Sequence, residues 1–406
     1  MVVASMAPGS NSRGRLLPGI PVIDLSLDRS LISQLIVKTC EEFGFFKVIN
    51  HRVQPSVSAQ LEAAGLEFFN LPAAEKQRAG PPNPLGYGCR SIGLNGDIGD
   101  VEYLLLPADS SSISKRARII CRKDPNKFSG SSGAFAVSDK LNQTFLDLLS
   151  CKLTFPNISV DEHSCAVKDY MEAIKELANE ILELIEEGLG LGGSGELCKL
   201  IRESGSDSLL RLNHYPSNCN SNSNSNNRKK DNDIKSKTWS KRKGRESSRI
   251  GFGEHTDPQI LTLLRSNGIE GLQILAPASG VLGSTMAWVA VPPDPTAVFI
   301  NVGDTLQAMT NGRLVSVRHR AMTNSYKSRM SMIYFAAPDL HAWITPLPGM
   351  ITADNPQRYK SFTWAEYKTA MYSLKLGQNR LDHFKIDTKE GAAQVMNQNS
   401  LEGNHE

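Results

Sequence analysis

The chain has no apolar run long enough to cross a membrane as a helix. Its longest runs, such as Met286–Val291 and Met332–Ala337, fall far short of the ~20 residues a span needs. No apolar core of about 7–15 residues follows the N-terminus, so a secretory signal is not expected. Seven cysteines lie scattered, odd in number and without a Cys-x-x-Cys pair, which argues against a disulfide framework and a zinc ribbon. A reducing, cytoplasmic setting is therefore the expectation, with the nucleus as a second location. Neither sign of charge dominates: 45 basic and 42 acidic residues leave a formal net of +3. Even that excess is local, because nine basic and only two acidic residues lie between Arg228 and Arg245. The remainder is mildly acidic and lacks the broad basic face of a nucleic-acid-binding domain.

The 406 residues, 40% hydrophobic and 21% charged, suffice for a large core without covalent staples. From Ile20 to Val53 the pattern reads strand, helix, strand, with Ile32, Leu35, Ile36, Cys40 and Phe43 at helical spacing. A second helix is expected from Ser56 to Phe69, and the Gly/Pro-rich stretch Gly80–Gly99 is expected to be loop. Val167–Glu187 carries the clearest amphipathic helix, stopped by Gly188 and Gly190. Between Leu209 and Ala337 short strands dominate, including Gln259–Leu264, Val298–Val302, Val315–Ala321 and Ser331–Ala336. That density points to a mainly β protein with flanking helices, its core an all-β sandwich or jelly roll behind an N-terminal α/β module. A helix near Thr363–Ser373 closes the folded part.

The sharpest chemical signal is His255-Thr256-Asp257 followed, after sixty-one intervening residues, by His319. On a strand, residues i and i+2 point to one face. Two imidazoles and a carboxylate can occupy one face of an octahedron and leave three positions open, the arrangement of non-haem Fe(II) oxygenases. A zinc hydrolase is the rival for the same three ligands. Arg329, ten residues beyond His319, opens an apolar strand and shares its face with Ser331. A guanidinium facing into a barrel needs a partner, and the far carboxylate of a dicarboxylic acid fits a two-pronged fork plus a hydroxyl. Asn213 and Tyr215 share a face upstream and could reach the same cosubstrate. His214 and His341 are expected to be satisfied core or surface histidines, and His51 to cap a turn.

At these residues the chain resembles the plant 2-oxoglutarate- and Fe(II)-dependent dioxygenases. Ile20-Pro21-Val22-Ile23-Asp24-Leu25 and Gly44–His51 are similar to that family's N-terminal module. Gly251–Ile260, Ser316–Arg320 and Ser328–Phe335 resemble its gibberellin 2-oxidases, as does the stretch from Gly86-Tyr87-Gly88 to Leu106. The resemblance implies a double-stranded β-helix with His255, Asp257 and His319 as iron ligands. It implies Arg329 and Ser331 as the 2-oxoglutarate clamp, with the Tyr215 hydroxyl in support. It further implies Fe(II) as cofactor, 2-oxoglutarate and dioxygen as cosubstrates, ascorbate as a supporting reductant, and 2β-hydroxylation of gibberellins, with wording closest to the C19 branch. A sibling dioxygenase acting on another gibberellin position or on a flavonoid is the alternative. A basic-loop protein binding nucleic acid or an import receptor through Lys241-Arg242-Lys243 is the non-enzymatic one.

A gibberellin is a rigid apolar carbocycle bearing a carboxylate, so an apolar pocket with one cationic or hydrogen-bonding anchor is expected. Arg90, Asn95 and Tyr103 are the candidates. The expected division is a disordered 1–17, an N-terminal module 18–129, a helical segment 165–208, the jelly-roll domain 209–340, a helical segment 341–385 and a disordered tail 386–406. Residues 130–164 and the Ser/Asn-rich, basic 217–248 are expected to be insertions into the family framework.

Overall fold

The computed structural model describes residues 19–80, 85–92, 96–108, 166–192, 195–202, 205–217, 249–277 and 285–386. The expected disordered segment 1–17 and insertion 130–164 lie outside the described residues, as do the expected tail 386–406 but for Ile386 and the expected insertion 217–248 but for Ser217.

The chain begins with β1 (Val22–Asp24), α1 (Arg29–Glu42) and β2 (Phe45–Ile49), close to the strand–helix–strand expectation. Asp28 caps α1 by accepting from the Ser30 and Leu31 amides. Then come α2 (Pro55–Asn70), the one-turn α3 (Ala73–Lys76), β3 (Gly86–Ile92) and β4 (Asp97–Pro107). The loop expected over Gly80–Gly99 is thus corrected: Gly86–Ile92 and the start of β4 from Asp97 are paired antiparallel strands, with Gly86 opposite Leu105. Its glycines permit close packing rather than irregularity. A Cβ on Gly88 would lie within 2.3 Å of the Tyr103 ring.

After α4 (Ala166–Leu189) and α5 (Glu196–Arg202) the chain enters β5 (Leu209–Tyr215), β6 (Ile250–His255), β7 (Leu261–Ser266), β8 (Leu272–Pro277), β9 (Met286–Ala290) and β10 (Val298–Val302). A short α6 (Asp304–Met309) interrupts what was expected to be strand only. β11 (His319–Met322) is shorter than the expected Val315–Ala321. β12 (Arg329–Ala336), the two-residue pair β13 (Trp343–Ile344) and β14 (Phe362–Thr363), and α7 (Trp364–Ser373) follow. Residues 341–385 are therefore not helical throughout. Thr363 and Glu366 form a capping box at the start of α7.

Eight strands form one sheet in the order β1-β2-β10-β7-β12-β5-β4-β3, and four form a second, β6-β11-β8-β9. Alternation sorts the large sheet into two faces. Met330, Met332 and Tyr334 of β12 join Leu210, Leu212, Leu104 and Leu106 in the core shared with α1, α2 and α4. The intervening Ile333, with Leu264 and Phe299, packs on Leu272, Ile274 and Val289 of the small sheet. The space between the sheets is the interior of a jelly roll.

The outer face also buries a polar cluster. Glu102 on β4 lies opposite His214 on β5. Its carboxylate accepts from Lys76 Nζ and from Tyr87 Oη at 2.7 Å, and its other oxygen pairs with His214 Nδ1 at 2.8 Å. Lys76 Nζ also donates to the Phe69 carbonyl at 2.9 Å, and the Phe69 ring stacks on His214. His214 is accordingly the satisfied core histidine expected of it. Burial would raise the Glu102 carboxyl, but His214, Lys76 and Tyr87 outweigh it and hold the group below the usual carboxylate range.

Candidate active site

His255 ends β6 and His319 begins β11, and the two are direct antiparallel partners. Their rings lie 4.2 Å apart between centroids. Asp257 stands two residues beyond the end of β6, so the expectation that both residues of the pair sit on a strand is half met. The extended chain still delivers its carboxylate to the imidazoles: Asp257 Oδ1 is 3.6 Å from His255 Nε2 and 3.6 Å from His319 Nε2. Among the described residues these three form the single cluster of metal-ligating groups, with ligand atoms within 4.8 Å of one another.

The surrounding bonds leave the right atoms facing inward. His255 Nδ1 meets the Gly253 carbonyl at 2.8 Å and His319 Nδ1 meets the Val317 carbonyl at 3.2 Å. A carbonyl can only accept, so each ring carries its proton on Nδ1 and presents the Nε2 lone pair. Asn301 Nδ2 donates to Asp257 Oδ2 at 3.1 Å, which leaves Oδ1 for a metal. Burial, then the neighbouring His319, pushes His255 down to about 3, so the imidazole is neutral and ready to coordinate. Burial alone would raise the Asp257 carboxyl, but His319 and His255 keep it below its usual value. Two imidazoles and one carboxylate on adjacent strand ends fit an iron with open positions.

Asn301 was missed by sequence reasoning. Its signal is a lone amide in the otherwise apolar buried strand Val298–Val302. Thr256, between the ligands, donates to Asp304 Oδ2 at 3.0 Å, and Tyr367 donates to the same oxygen at 2.7 Å. Helix α7 is thereby tied to the ligand-bearing turn.

Arg329, 1% exposed, begins β12 opposite Tyr215. Its Nη1 reaches Ser331 Oγ at 3.3 Å, its guanidinium lies 5.2 Å from the Tyr215 ring centroid, and its Nε is buried without a hydrogen-bond partner. No ion pair involves it among the described residues. Asn213 donates to Tyr215 Oη at 3.2 Å. The structure therefore brings Arg329, Ser331, Tyr215 and Asn213 together around one cavity that also touches His255, Asp257 and His319.

A second, adjoining cavity touches His255 and Asp257 of the triad. Tyr103 lines it, as expected of a substrate-side residue. Arg90 does not: it has a left-handed backbone (φ 63°), its side chain is 73% exposed, and it leans toward Asp100 at 3.5 Å. Burying it would require breaking the hairpin bulge on which it sits. Asn95 lies outside the described residues. Arg211, not singled out from sequence, lines both cavities. The signal was available, because Arg211, Asn213 and Tyr215 alternate along one face of β5.

Comparison with known proteins agrees with this geometry. Residues 206–338 match the 2OG-Fe(II) oxygenase superfamily, and residues 20–101 match the non-haem dioxygenase in morphine synthesis N-terminal family. Gibberellin 2-beta-dioxygenase 1 of Oryza sativa subsp. japonica is 46% identical over 374 residues, covering 91% of this chain and 87% of the relative. The chain belongs to the gibberellin 2-beta-dioxygenase family. Gibberellin 2-beta-dioxygenase 4 of Arabidopsis thaliana, 42% identical, covers 94% of this chain and 99% of its own length. The fold matches the crystal structure of JOX2 in complex with 2OG, Fe and JA, with TM-score 0.63, 21% identity and coverage of 93% and 92%. It also matches the rice dioxygenase for auxin oxidation, with TM-score 0.61, 22% identity and coverage of 90% and 100%. A protein of this family uses Fe(II) and 2-oxoglutarate, and the donor set and the orphaned Arg329 suit both. No helix among the described residues is long and apolar enough to cross a membrane.

Proposed function

We propose that the protein hydroxylates gibberellins at the 2β position, C19-gibberellins first among them, and so inactivates the hormone. The observation that carries this reading is the union of two inputs: the His255–Asp257–His319 cluster with its inward-facing donors, and similarity to gibberellin 2-beta-dioxygenases over nine-tenths of the chain. In this reading His255, Asp257 and His319 hold the iron. Arg329 and Ser331 take the far carboxylate of 2-oxoglutarate, with Tyr215 and Asn213 in support.

Bound iron supplies the oxidising chemistry, coupling 2-oxoglutarate decarboxylation by dioxygen to insertion of a hydroxyl. The chain's own part is positioning. The carbonyls of Gly253 and Val317 fix the imidazole tautomers, and Asn301 fixes the Asp257 carboxylate. Arg329 and Ser331 orient a dicarboxylate by geometry as well as charge. Phe252, Leu272 and Phe335 line the interior with apolar surface, which excludes water from the reacting atoms. The partner is a small molecule rather than a nucleic acid, and the location is the cytoplasm, with the nucleus second.

The test is incubation of the purified protein with Fe(II), 2-oxoglutarate and a gibberellin panel, products being identified by mass spectrometry. A 2β-hydroxylated gibberellin formed with equimolar succinate is the expected result. Hydroxylation elsewhere on the skeleton, or of a flavonoid only, would replace this reading with the sibling dioxygenase.

A further inference from the structure

Two guanidiniums face the joined cavities without an acidic partner. Arg329 answers to 2-oxoglutarate in the reading above. Arg211 has no such assignment. Its Nε donates to Asn213 Oδ1 at 2.8 Å, and its guanidinium lies 4.0 Å from the Tyr103 ring centroid and 5.0 Å from that of Phe252. Its Nη2 is buried and has no hydrogen-bond partner. It forms no ion pair among the described residues. A desolvated cation with an unmet donor is costly, and evolution has ordinary ways to avoid it. A side chain kept only to brace Tyr103 and Asn213 would not need a charge.

Strand register separates the two cations. Arg329 lies opposite Tyr215, whereas Arg211 lies opposite Ile333, four positions further along β12. At about 3.3 Å per residue the two backbones are roughly 13 Å apart. One short dicarboxylate anchored at the iron and at Arg329 leaves Arg211 free for a second anion. The walls beside Arg211 toward the mouth are apolar and aromatic: Ile92, Tyr103, Leu105 and Leu376. Arg380 also lines the second cavity and its Nε too is buried without a partner, but it donates to the carbonyls of Thr256 and Leu376 and faces the buried Asp304, an acidic neighbour that Arg211 lacks. Its charge is already answered.

We propose that Arg211 is the substrate anchor: its fork receives the carboxylate of a rigid apolar acid whose hydrocarbon body lies along Tyr103 and Leu105. This rests on the functional reading above for the identity of the acid, but not for its chemical class. Stacking on Tyr103 and Phe252 holds the guanidinium plane in place before the ligand arrives, so little ordering remains to be done on binding. The anchor selects free acids over their esters, because an ester cannot accept two charge-assisted hydrogen bonds.

The test uses the full chain loaded with Fe(II) and 2-oxoglutarate without oxygen, titrated calorimetrically with a C19-gibberellin and its methyl ester. Abietic acid, a tricyclic apolar monocarboxylate, and its methyl ester form a second pair. The native protein should bind each acid about 10- to 100-fold more tightly than its ester. Arg211→Met should bring that ratio to about one while leaving 2-oxoglutarate affinity unchanged. Arg211→Lys, which keeps charge and stem but not the fork, should give an intermediate ratio and reads the same question if the Met variant fails to fold. Acid preference that survives both substitutions, a native protein indifferent to esterification, or a preference erased by Arg380→Met instead would overturn the proposal. Gibberellin oxidation with a preference indifferent to Arg211 would remove the anchor and keep the function. Arg211-dependent binding of abietic acid, without binding or oxidation of any gibberellin, would remove the function and keep the anchor.

Discussion

On the outer face of β4 and β5, Glu102, His214, Lys76 and Tyr87 bury their charges and hydrogen-bonding atoms against one another. On the inner face of the same two strands and β12, the partly buried Arg211 and the fully buried Arg329 keep buried donors left over. The strands, the burial and the kinds of residue are alike. The difference is whether each polar atom has found a partner within the chain. Interior charge that serves the fold closes on itself, and interior charge that serves a ligand stays open. An open charge costs stability, so it persists only where binding gives something in return.

This contrast can be broken at several points. Substituting alanine at His255, Asp257 or His319 should abolish 2-oxoglutarate-dependent turnover while the thermal midpoint stays near that of the native apoprotein. Turnover and iron content measured together would check it, and full activity in any one variant would remove that residue from the site. Arg329→Lys should raise the apparent KM for 2-oxoglutarate about tenfold or more, because a point charge does not replace a fork. Its unfolding midpoint should not fall, since the native guanidinium is itself under-satisfied. Glu102→Ala should do the reverse. Denaturant titration should show a loss of about 3–5 kcal/mol from stranding Lys76, and the 2-oxoglutarate KM of the folded fraction should stay within about twofold.

Acid should sharpen the same contrast more gently. The folded-state carboxyl of Glu102 lies below its unfolded value, so its stabilisation is complete above the ordinary Glu range of ~4.3 and is lost as pH falls through the folded value. Stability curves of native protein and Glu102→Gln should therefore draw together as pH falls below the ordinary Glu range. The smallest effect is expected from deleting residues 217–248 behind a short Gly/Ser bridge. A Cβ on Gly251 would touch the Tyr215 ring, so the flanking strands already meet and closing the gap strains nothing. Turnover within about twofold of native is the expected result.

Much of this was legible in advance, and the omissions have physical reasons. Period-two alternation gives away Arg329 with Ser331 and Asn213 with Tyr215, since a side chain's face follows from parity alone. The ligand spacing works because His255 and Asp257 straddle a strand end where the chain stays extended. The hairpin over Gly86–Pro107 was hidden because glycine usually signals a turn, whereas Gly88 here makes room for Tyr103. Arg90 was singled out and Arg211 passed over because loops usually carry substrate contacts. In fact the bulge at Arg90 turns it outward, and a residue in the middle of β5 faces the cavity. Nor could pattern reveal that Asn301 orients Asp257, a contact across 44 residues of sequence.

The pairing of β2 with β10 has a consequence for how the chain is born. Phe45 is the partner of Asn301, and Val48 of Val298. A ribosome adding about 5–20 residues per second needs roughly 10–50 seconds to make the intervening chain. During that time β2, with Phe45, Phe46 and Val48 all destined for full burial, has only the short parallel β1 beside it. An unpaired apolar strand edge is a template for wrong partners, and long-range pairing of this kind is slow to form even once the whole chain exists. Protection of the first fifty residues until the last strands emerge is thus a condition of this protein's yield. Slower translation past Val302 would not help it, whereas a chaperone that covers β2 would.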